Sequence, residues 1–271
     1  MSFWEAFIAY DVTVNNATDE LEVLAPTSLT TRTGDGRPYL THLMAFNTLD
    51  DVERVYVVPS GMNDAAGIPC PVVNLNGAVC NFDLKQSKLA IPIQLKENQL
   101  LVPYAVSETA ANSVVFLWGV LKYPGGITRA SYVPVGSGGK GIVRRFWEHG
   151  AALVSNVAAA STNINDLLAG QRYQVSNIHG VGVNGATAGC VGPAWIRFDN
   201  PEFGGSQCWI PLPNNNAYVV GGSRSMGCDL KEAGLEMPLV LGGTPFRTSC
   251  IGYTAEQPQG VLDLITDNIG F

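Results

Sequence analysis

The chain has 271 residues, with 16 basic and 23 acidic side chains and a formal net charge of −7 at pH 7. This acidic balance argues against nucleic-acid binding as the main function, because phosphate contacts need clustered Lys and Arg. Only 14% of the residues are charged, against about 25% in an ordinary soluble domain. A composition with so little charge favours a protein whose exterior is partly covered by other protein.

Cysteine usage, the N-terminus and the hydropathy predict a protein that folds in a reducing cytoplasm. The six cysteines show no C-x-x-C pair and no zinc spacing, which favours buried free thiols, although a disulfide among the last four stays open. The first ten residues, MSFWEAFIAY, lack the basic and apolar regions of a secretory signal. No run of residues approaches the roughly 18 apolar residues that a membrane span needs.

The first 123 residues predict a series of short strands separated by turns. Runs of β-branched and aromatic residues predict strands at 11–14, 21–24, 39–48, 52–58, 78–84, 88–95, 98–106 and 113–123. Residues 59–77, which are rich in Pro and Gly, are expected to form a loop. Pro92 and Pro103 favour edge strands or bulges, since proline cannot donate to a sheet. The apolar run at 113–123 is expected to be a central strand that is covered on both faces.

Residues 124–163 are predicted to form a connector that contains the one helix of the chain. The Pro- and Gly-rich first part predicts a loop. From about 141 to 160, apolar residues fall near one helical stripe: Val143, Phe146, Trp147, Val154, Val157 and Ala158. Gly150 lies inside this segment and costs about 1 kcal/mol relative to Ala. Ser161–Asn163 supply the polar residues that end the helix.

The remaining residues, 164–271, repeat the pattern of short strands. Strands are predicted at 171–183, 193–198, 207–213, 216–222, 234–241 and 248–256, followed by an apolar tail at 260–271. Strands spaced by about 8 to 12 residues, with turns between them, are typical of a β-sandwich or barrel. The sequence therefore predicts an all-β protein with two β-sandwiches side by side, joined by the helix-containing connector.

No stretch of the sequence predicts a catalytic residue, a cofactor site or a metal site. Gly180–Gly185 matches G-x-G-x-x-G, but the residues that follow are too rich in Gly and Pro to begin the helix that a dinucleotide site needs. The three histidines stand in unrelated contexts and are expected to be packed or surface residues: His42, His149 and His179. Trp195 and Trp209 could stack on a sugar, although in a sandwich such aromatics are more often part of the core.

Two motifs in and after the connector resemble a known family. Arg144, Arg145 and Phe146 open the predicted helix, STNINDL follows at 161–167, and a strand then begins at Tyr173. This arrangement resembles the junction between the two jelly rolls in the major capsid proteins of tailless, membrane-containing icosahedral bacteriophages, the corticovirus-like group. The specific likeness covers about 40 residues, while the first 120 residues resemble the family only in pattern.

The resemblance implies a double jelly roll: a first roll at 1–123, a connector at 124–163 with its helix at about 141–160, and a second roll at 164–271. It implies a structural, non-enzymatic capsid subunit that forms pseudo-hexameric homotrimers and tiles an icosahedral shell. The partners would be other copies, penton or minor capsid proteins and an internal membrane. The location would be the virion, after folding in the host cytoplasm.

The nearest approach to a basic cluster is Lys140, Arg144 and Arg145. A solvated helix start explains these residues without any partner. Under the capsid resemblance they would lie near the domain base and could contact the inner membrane.

Two other classes of protein remain open at this point. A cell-surface or secreted β-sandwich module, either carbohydrate-binding or a filament or tube subunit, would show oxidised cysteines and exposed aromatic residues. A jelly-roll glycan hydrolase would need a concave face with two carboxylates, for which the sequence offers no pattern.

Overall fold

The computed structural model describes residues 3–14, 22–24, 29–47, 52–62, 67–74, 84–107, 113–124, 141–148, 162–164, 167–183, 194–199, 209–212, 226–230, 233–235, 240–252 and 258–266. These residues are mainly β-strand, in sheets whose strands pair antiparallel except for one short parallel pair at residues 45–47 and 72–74, with a short 3₁₀ turn at Leu84–Ser87 and no α-helix. The predicted all-β fold class is confirmed. The chain divides into two compact units, one made of 1–78 and 86–127 and the other of 79–85 and 128–271.

The first unit contains two five-stranded sheets. Its strands are β1 (Phe3–Val14), β2 (Glu22–Val23), β3 (Leu29–Thr30), β4 (Tyr39–Asn47), β5 (Val52–Pro59), β6 (Ile68–Cys70), β7 (Val72–Asn74), β8 (Lys88–Gln94), β9 (Leu100–Ser107) and β10 (Ser113–Tyr123). One sheet has the order β1-β10-β4-β7, with β8 also paired to β4. The other has the order β2-β9-β5-β6, with β3 also paired to β9.

These two orders are those of a jelly roll. Counting β2 with β3 as one position, and taking β8, the antiparallel partner of β4, as the sixth, gives eight positions along the chain, arranged 1-8-3-6 in one sheet and 2-7-4-5 in the other; the short β7 pairs parallel with β4 and is additional to this ribbon. An antiparallel ribbon that pairs positions 1 with 8, 2 with 7, 3 with 6 and 4 with 5, and is then rolled up, produces this order. The strand pairing of the first unit is therefore enough to identify it as a jelly roll.

The second unit repeats the same order. Its strands are β11 (Gly141–Glu148), β12 (Thr162–Asn163), β13 (Arg172–Val183), β14 (Ala194–Asp199), β15 (Trp209–Leu212), β16 (Met226–Asp229), β17 (Val240–Leu241), β18 (Arg247–Gly252) and β19 (Pro258–Thr266). One sheet has the order β11-β19-β13-β16, with β17 also paired to β13, and the other has the order β12-β18-β14-β15. With β16 and β17 taken as one position, the orders are again 1-8-3-6 and 2-7-4-5.

The core of the first unit lies between its two sheets. Phe7, Leu43 and Leu117 from one sheet and Val57 and Leu101 from the other belong to a single buried cluster. Strand β10 is buried on both faces, since every residue from 115 to 121 is shielded from solvent. The prediction of a central strand covered on both faces is confirmed.

The predicted helix at 141–160 is wrong over its first part, because residues 141–148 form strand β11. This strand pairs antiparallel with β19 along its whole length, from Gly141 opposite Thr266 to Glu148 opposite Gln259. Residues 149–160 lie outside the described part of the chain. The segment GIVRRFWE has two apolar pairs separated by two arginines, a spacing that fits a helical stripe and also a strand with apolar residues on both faces.

Two smaller predictions also need correction. Residues 59–77 were expected to form a loop, yet they contain β6 and β7. The apolar tail at 260–271 is part of β19 as far as Thr266, and this strand lies inside its sheet, between β11 and β13.

Pro103 lies in β9, which has partners on both sides and is not an edge strand. The neighbouring position is divided between β2, which pairs with residues 104–105, and β3, which pairs with residues 100–101. The carbonyl of Pro103 accepts a hydrogen bond from the N–H of Leu24 on this side, at 3.0 Å. In an antiparallel strand the N–H of a residue points to the same side as its carbonyl. The missing donor therefore faces the interval between β2 and β3.

Candidate functional site

The three basic residues singled out in the sequence do not share one helix face. Lys140 lies outside the described residues. Arg144 and Arg145 occupy consecutive positions of β11, opposite Asp263 and Leu262 of β19. Consecutive positions of a strand belong to opposite faces of the sheet, so these two positions are on different faces.

The start of β11 marks one end of the second unit. Gly141 is opposite Thr266, Thr266 is opposite Tyr173, and Tyr173 is opposite Val240, which forms one row across the sheet. Lys140 directly precedes this row in sequence. The chain therefore enters β11 at the same end of the sheet from which the turn before β13 projects.

The turn before β13 is held by hydrogen bonds and carries an exposed leucine. The N–H of Gly170 donates to the carbonyl of Gly242 at 3.1 Å, and the N–H of Gly242 donates to the carbonyl of Gln171 at 2.7 Å. The N–H of Leu168 donates to the hydroxyl of Tyr173 at 3.1 Å. Leu168 is nevertheless 58% exposed, so this end of the unit presents an apolar side chain on a fixed backbone.

The two tryptophans that could have formed a sugar platform are buried. Trp195 is fully shielded and Trp209 is almost so. The guanidinium of Arg197 lies over the ring of Trp209, 5.0 Å from its centroid, and occupies the face on which a sugar would stack. Arg197 in turn forms an ion pair with Asp199 at 2.8 Å, and the hydroxyl of Ser249 donates to the same carboxylate at 2.6 Å.

The outward face of β5 and β9 in the first unit is apolar, and sequence reasoning missed it. Tyr56 is opposite Tyr104 and Val58 is opposite Val102 in the strand register. The two tyrosine rings are stacked, with centroids 5.5 Å apart. Burial raises the pKa of Tyr56 above its usual range, as expected for a phenol packed among apolar neighbours.

These rows continue to the end of the sheet. The N–H of Ser60 donates to the carbonyl of Leu100 at 2.7 Å, so these two residues extend the same ladder. Leu100 is 37% exposed, and Met62, two residues beyond Ser60, is 50% exposed. We call this surface the β5–β9 strip: the half-buried Val58, Val102 and Tyr104, the exposed Met62 and Leu100, and Tyr56, which is itself buried and stacks on Tyr104. The exposed Arg54 lies at the other end of the strip.

An ordinary solvated sheet alternates apolar residues inward with polar residues outward. Strand β9 reads LLVPYAVS, and its outward positions 100, 102 and 104 are all apolar. This departure from alternation was visible in the sequence. It could be assigned to an outward face only once the core side of the strand was known.

One end of the first unit carries a partly buried polar network. Arg32 donates to both carboxylate oxygens of Glu5, at 2.9 Å each, and its backbone N–H donates to the hydroxyl of Tyr123 at 3.0 Å. Burial raises the pKa of Tyr123 to about 12, and the hydrogen bond with Glu5 raises the pKa of Arg32. The network ties the first strand of the roll to its last residue.

His42, Cys70 and Cys250 are buried residues of the fold. His42 is buried, with its Nδ1 2.8 Å from the Thr41 hydroxyl and its ring 6.1 Å from that of Trp118. His149 lies outside the described residues, and His179 is in β13. Cys70 and Cys250 are buried free thiols, as predicted for them, and burial raises the pKa of both, that of Cys250 to about 12.

Over the described part of the chain, no group of His, Cys, Asp and Glu side chains is placed to hold a metal ion. The described residues also contain no helix that is long and apolar enough to cross a membrane.

Comparisons with known proteins give a structural likeness and no likeness in sequence. No protein-family model matches the chain, and no curated protein matches it in sequence. Among solved structures, the chain is similar to the crystal structure of the STIV MCP, a major capsid protein. The two chains are 10% identical, the alignment covers 98% of this chain and 96% of that one, and the TM-score is 0.27. A TM-score this low carries no weight for function.

Proposed function

We propose that the chain is the major capsid subunit of a tailless, membrane-containing icosahedral bacteriophage. The observation that carries the proposal is the repeated strand order, 1-8-3-6 with 2-7-4-5, in two successive units of one chain. Jelly rolls occur in viral capsid domains, lectins and cupins. A chain with two rolls has a specific geometric use, because three copies present six similar modules, which is the number that a hexagonal lattice position needs.

In this proposal the rolls belong to residues 1–123 and 164–271, with β11 added to the second roll as its first strand. The copies assemble into pseudo-hexameric homotrimers that tile the shell together with penton or minor capsid proteins. The subunit has no catalytic role, folds in the host cytoplasm and ends in the virion. Its low charged fraction suits a protein that is surrounded by other copies.

The competing carbohydrate-binding module receives less support from the tryptophans. A sugar platform needs an exposed aromatic face, whereas Trp195 is fully buried and Arg197 covers the ring of Trp209. A filament or tube subunit also self-associates, so it is separated from a capsid subunit only by the form of its assembly.

The inner-face contact with a membrane stays part of the proposal. Lys140 is its main candidate, since it adjoins the end of the sheet where β11 begins. Arg144 and Arg145 lie about 10 to 16 Å further along the strand at roughly 3.3 Å per residue. Charge reversal at Lys140 is expected to reduce the lipid content of purified particles, and particles with unchanged lipid would remove this residue from the proposal.

The test of the capsid proposal is the solution mass of the purified protein, by light scattering after size exclusion. The expected mass is three times the chain mass of 28.8 kDa, or that of larger shell fragments. A monomer at all concentrations would contradict the proposal. Electron microscopy of the larger species then separates closed shells from filaments or tubes, and filaments would favour the competing class.

A further inference from the structure

We infer that the β5–β9 strip is a contact surface for a second copy of this chain, an assignment that rests on the proposed self-assembly. The strip is built as cross-strand rows: Tyr56 with Tyr104, Val58 with Val102, then Leu100 and Met62 at the end. Val58, Val102 and Tyr104 are not members of the buried cluster between the sheets. Their side chains therefore face away from the core of their own roll.

The strip is ordered before any partner binds. The stacked tyrosine rings hold each other, and Tyr56 also lies against Gly67, where an added Cβ would collide with its ring. The N–H of Leu100 donates to the Ser60 hydroxyl at 3.2 Å, and the N–H of Ser60 donates to the carbonyl of Leu100. A surface with fixed side chains loses little conformational freedom on binding, which favours association.

Charge and area decide the class of partner. A lipid surface or a nucleic acid would require clustered Lys and Arg, and none of the six residues of the strip is basic. Two copies each carry a net charge of −7 and repel each other at long range, so a contact between them needs an uncharged patch such as the strip, and the low charged fraction of the second copy supplies uncharged surface for the apolar rows.

The size of the strip also fits one part of a contact between copies. Two strands about 4.8 Å apart, followed over six residues at about 3.4 Å each, give roughly 200 Å² of sheet face. A standard interface buries about 800 Å² on each partner. The strip therefore supplies the apolar centre of an interface, where aromatic residues are enriched and charges are depleted.

The experiment compares Val102→Lys with Ile91→Lys. Both residues are aliphatic and lie on strands of the first unit, but Ile91 is on β8, outside the strip, and is 80% exposed. Mass is measured by light scattering over a dilution series of each variant and of the unchanged protein. Val102→Lys is expected to raise the concentration at which the oligomer dissociates by at least about tenfold, while Ile91→Lys leaves it unchanged.

The outcomes separate this inference from the proposed function. If all three proteins form trimers that dissociate at the same concentration, the strip is not the contact, although the capsid proposal stands. If the unchanged protein is monomeric throughout, both fail. Should Val102→Lys not fold, as judged by circular dichroism, Arg54→Glu takes its place, because this exposed residue has no part in the core. Its expected effect is a several-fold increase in the dissociation concentration, and no increase would overturn the assignment.

Discussion

At the scale of single residues, Gly119 and Phe7 show how closely the first roll is packed. The two residues are directly opposite each other in the pairing of β10 with β1, and the Phe7 ring fills the space that a Cβ on residue 119 would need. Gly119→Ala is therefore expected to destabilise the protein by about 1 to 3 kcal/mol, the usual effect of overpacking a core. Urea unfolding followed by circular dichroism measures this loss.

A second variant separates steric collision from any general effect of alanine in a strand. Phe7→Leu shortens the side chain that would collide, so Phe7→Leu with Gly119→Ala should lose less stability than the sum of the two single losses. Neighbouring residues commonly show coupling of this kind, of about 0.5 to 3 kcal/mol. Strict additivity would show that the ring is not what excludes a larger residue at 119.

Tyr123 makes the stability of the first roll sensitive to alkaline pH. Burial raises its pKa to about 12 from an ordinary value of 10.0. Below pH 10 the phenol is neutral in both the folded and the unfolded chain, so it adds no pH dependence. Between about pH 10 and 12 the unfolded chain loses this proton first, and stability falls by up to about 1.4 kcal/mol per pH unit.

The measurement is the free energy of unfolding in urea at several values between pH 8 and 12, for the unchanged protein and for Tyr123→Phe. The variant also loses the hydroxyl that accepts from the N–H of Arg32, so its stability at neutral pH should be lower by about 1 kcal/mol. Its free energy of unfolding should fall less steeply with pH in the alkaline range. Ionisation of the buried thiols of Cys70 and Cys250 accounts for part of the fall that remains. Equal slopes in the two proteins would contradict the assignment to Tyr123.

At the scale of elements, apolar runs bounded by turn residues were predictable as strands, whereas β11, whose spacing also fits a helix, was not. The runs at 39–48, 52–58 and 113–123 correspond to β4, β5 and β10. Pro92 was correctly expected at an edge or bulge, since β8 ends its sheet path and its register with β4 shifts between Leu40 and His42. Pro103 was not on an edge strand as expected. The position beside β9 is divided between β2 and β3, and this division depends on tertiary pairing.

Strand β11 gives the sharpest test at this scale. Among the described strands it is the outermost of its sheet path and pairs with β19 only. Because successive N–H groups of a strand point to opposite sides, every second amide from 141 to 148 should be protected from hydrogen exchange, while those between exchange quickly. A helix would instead protect consecutive amides after its first turn. Exchange resolved to single residues by NMR distinguishes the two, and a continuous protected run would show that the helix prediction was right.

At the scale of the whole molecule, the pairing order could not be predicted from periodicity. Phe3 is opposite Tyr123, and Gly141 is opposite Thr266, so the strands that begin and end each roll meet across more than a hundred residues. Periodicity reports which face of a strand is buried and carries no information about its neighbour. The plan of two β-sandwiches followed from the strand spacing and the connector, whereas the jelly-roll pairing within each entered at the sequence level only through a likeness to a family. The β5–β9 strip required knowledge of which face each strand turns to the core.

The response of the assembly to salt follows from the composition of the strip. Raising the salt concentration from about 0.1 M to about 1 M shortens the range of charge interactions from about 10 Å to about 3 Å. An interface centred on Tyr56, Val58, Val102 and Tyr104 should keep its oligomeric mass over this range, because salt does not screen apolar burial. Association should become faster, since salt screens the long-range repulsion between two copies that each carry a net charge of −7, and this repulsion acts mainly on the rate of encounter. Light scattering at equilibrium and after stopped-flow dilution measures the two effects separately. Dissociation to monomers at about 1 M salt would mean that charge pairs hold the copies together, and the contact would then have to lie on a part of the surface other than this strip.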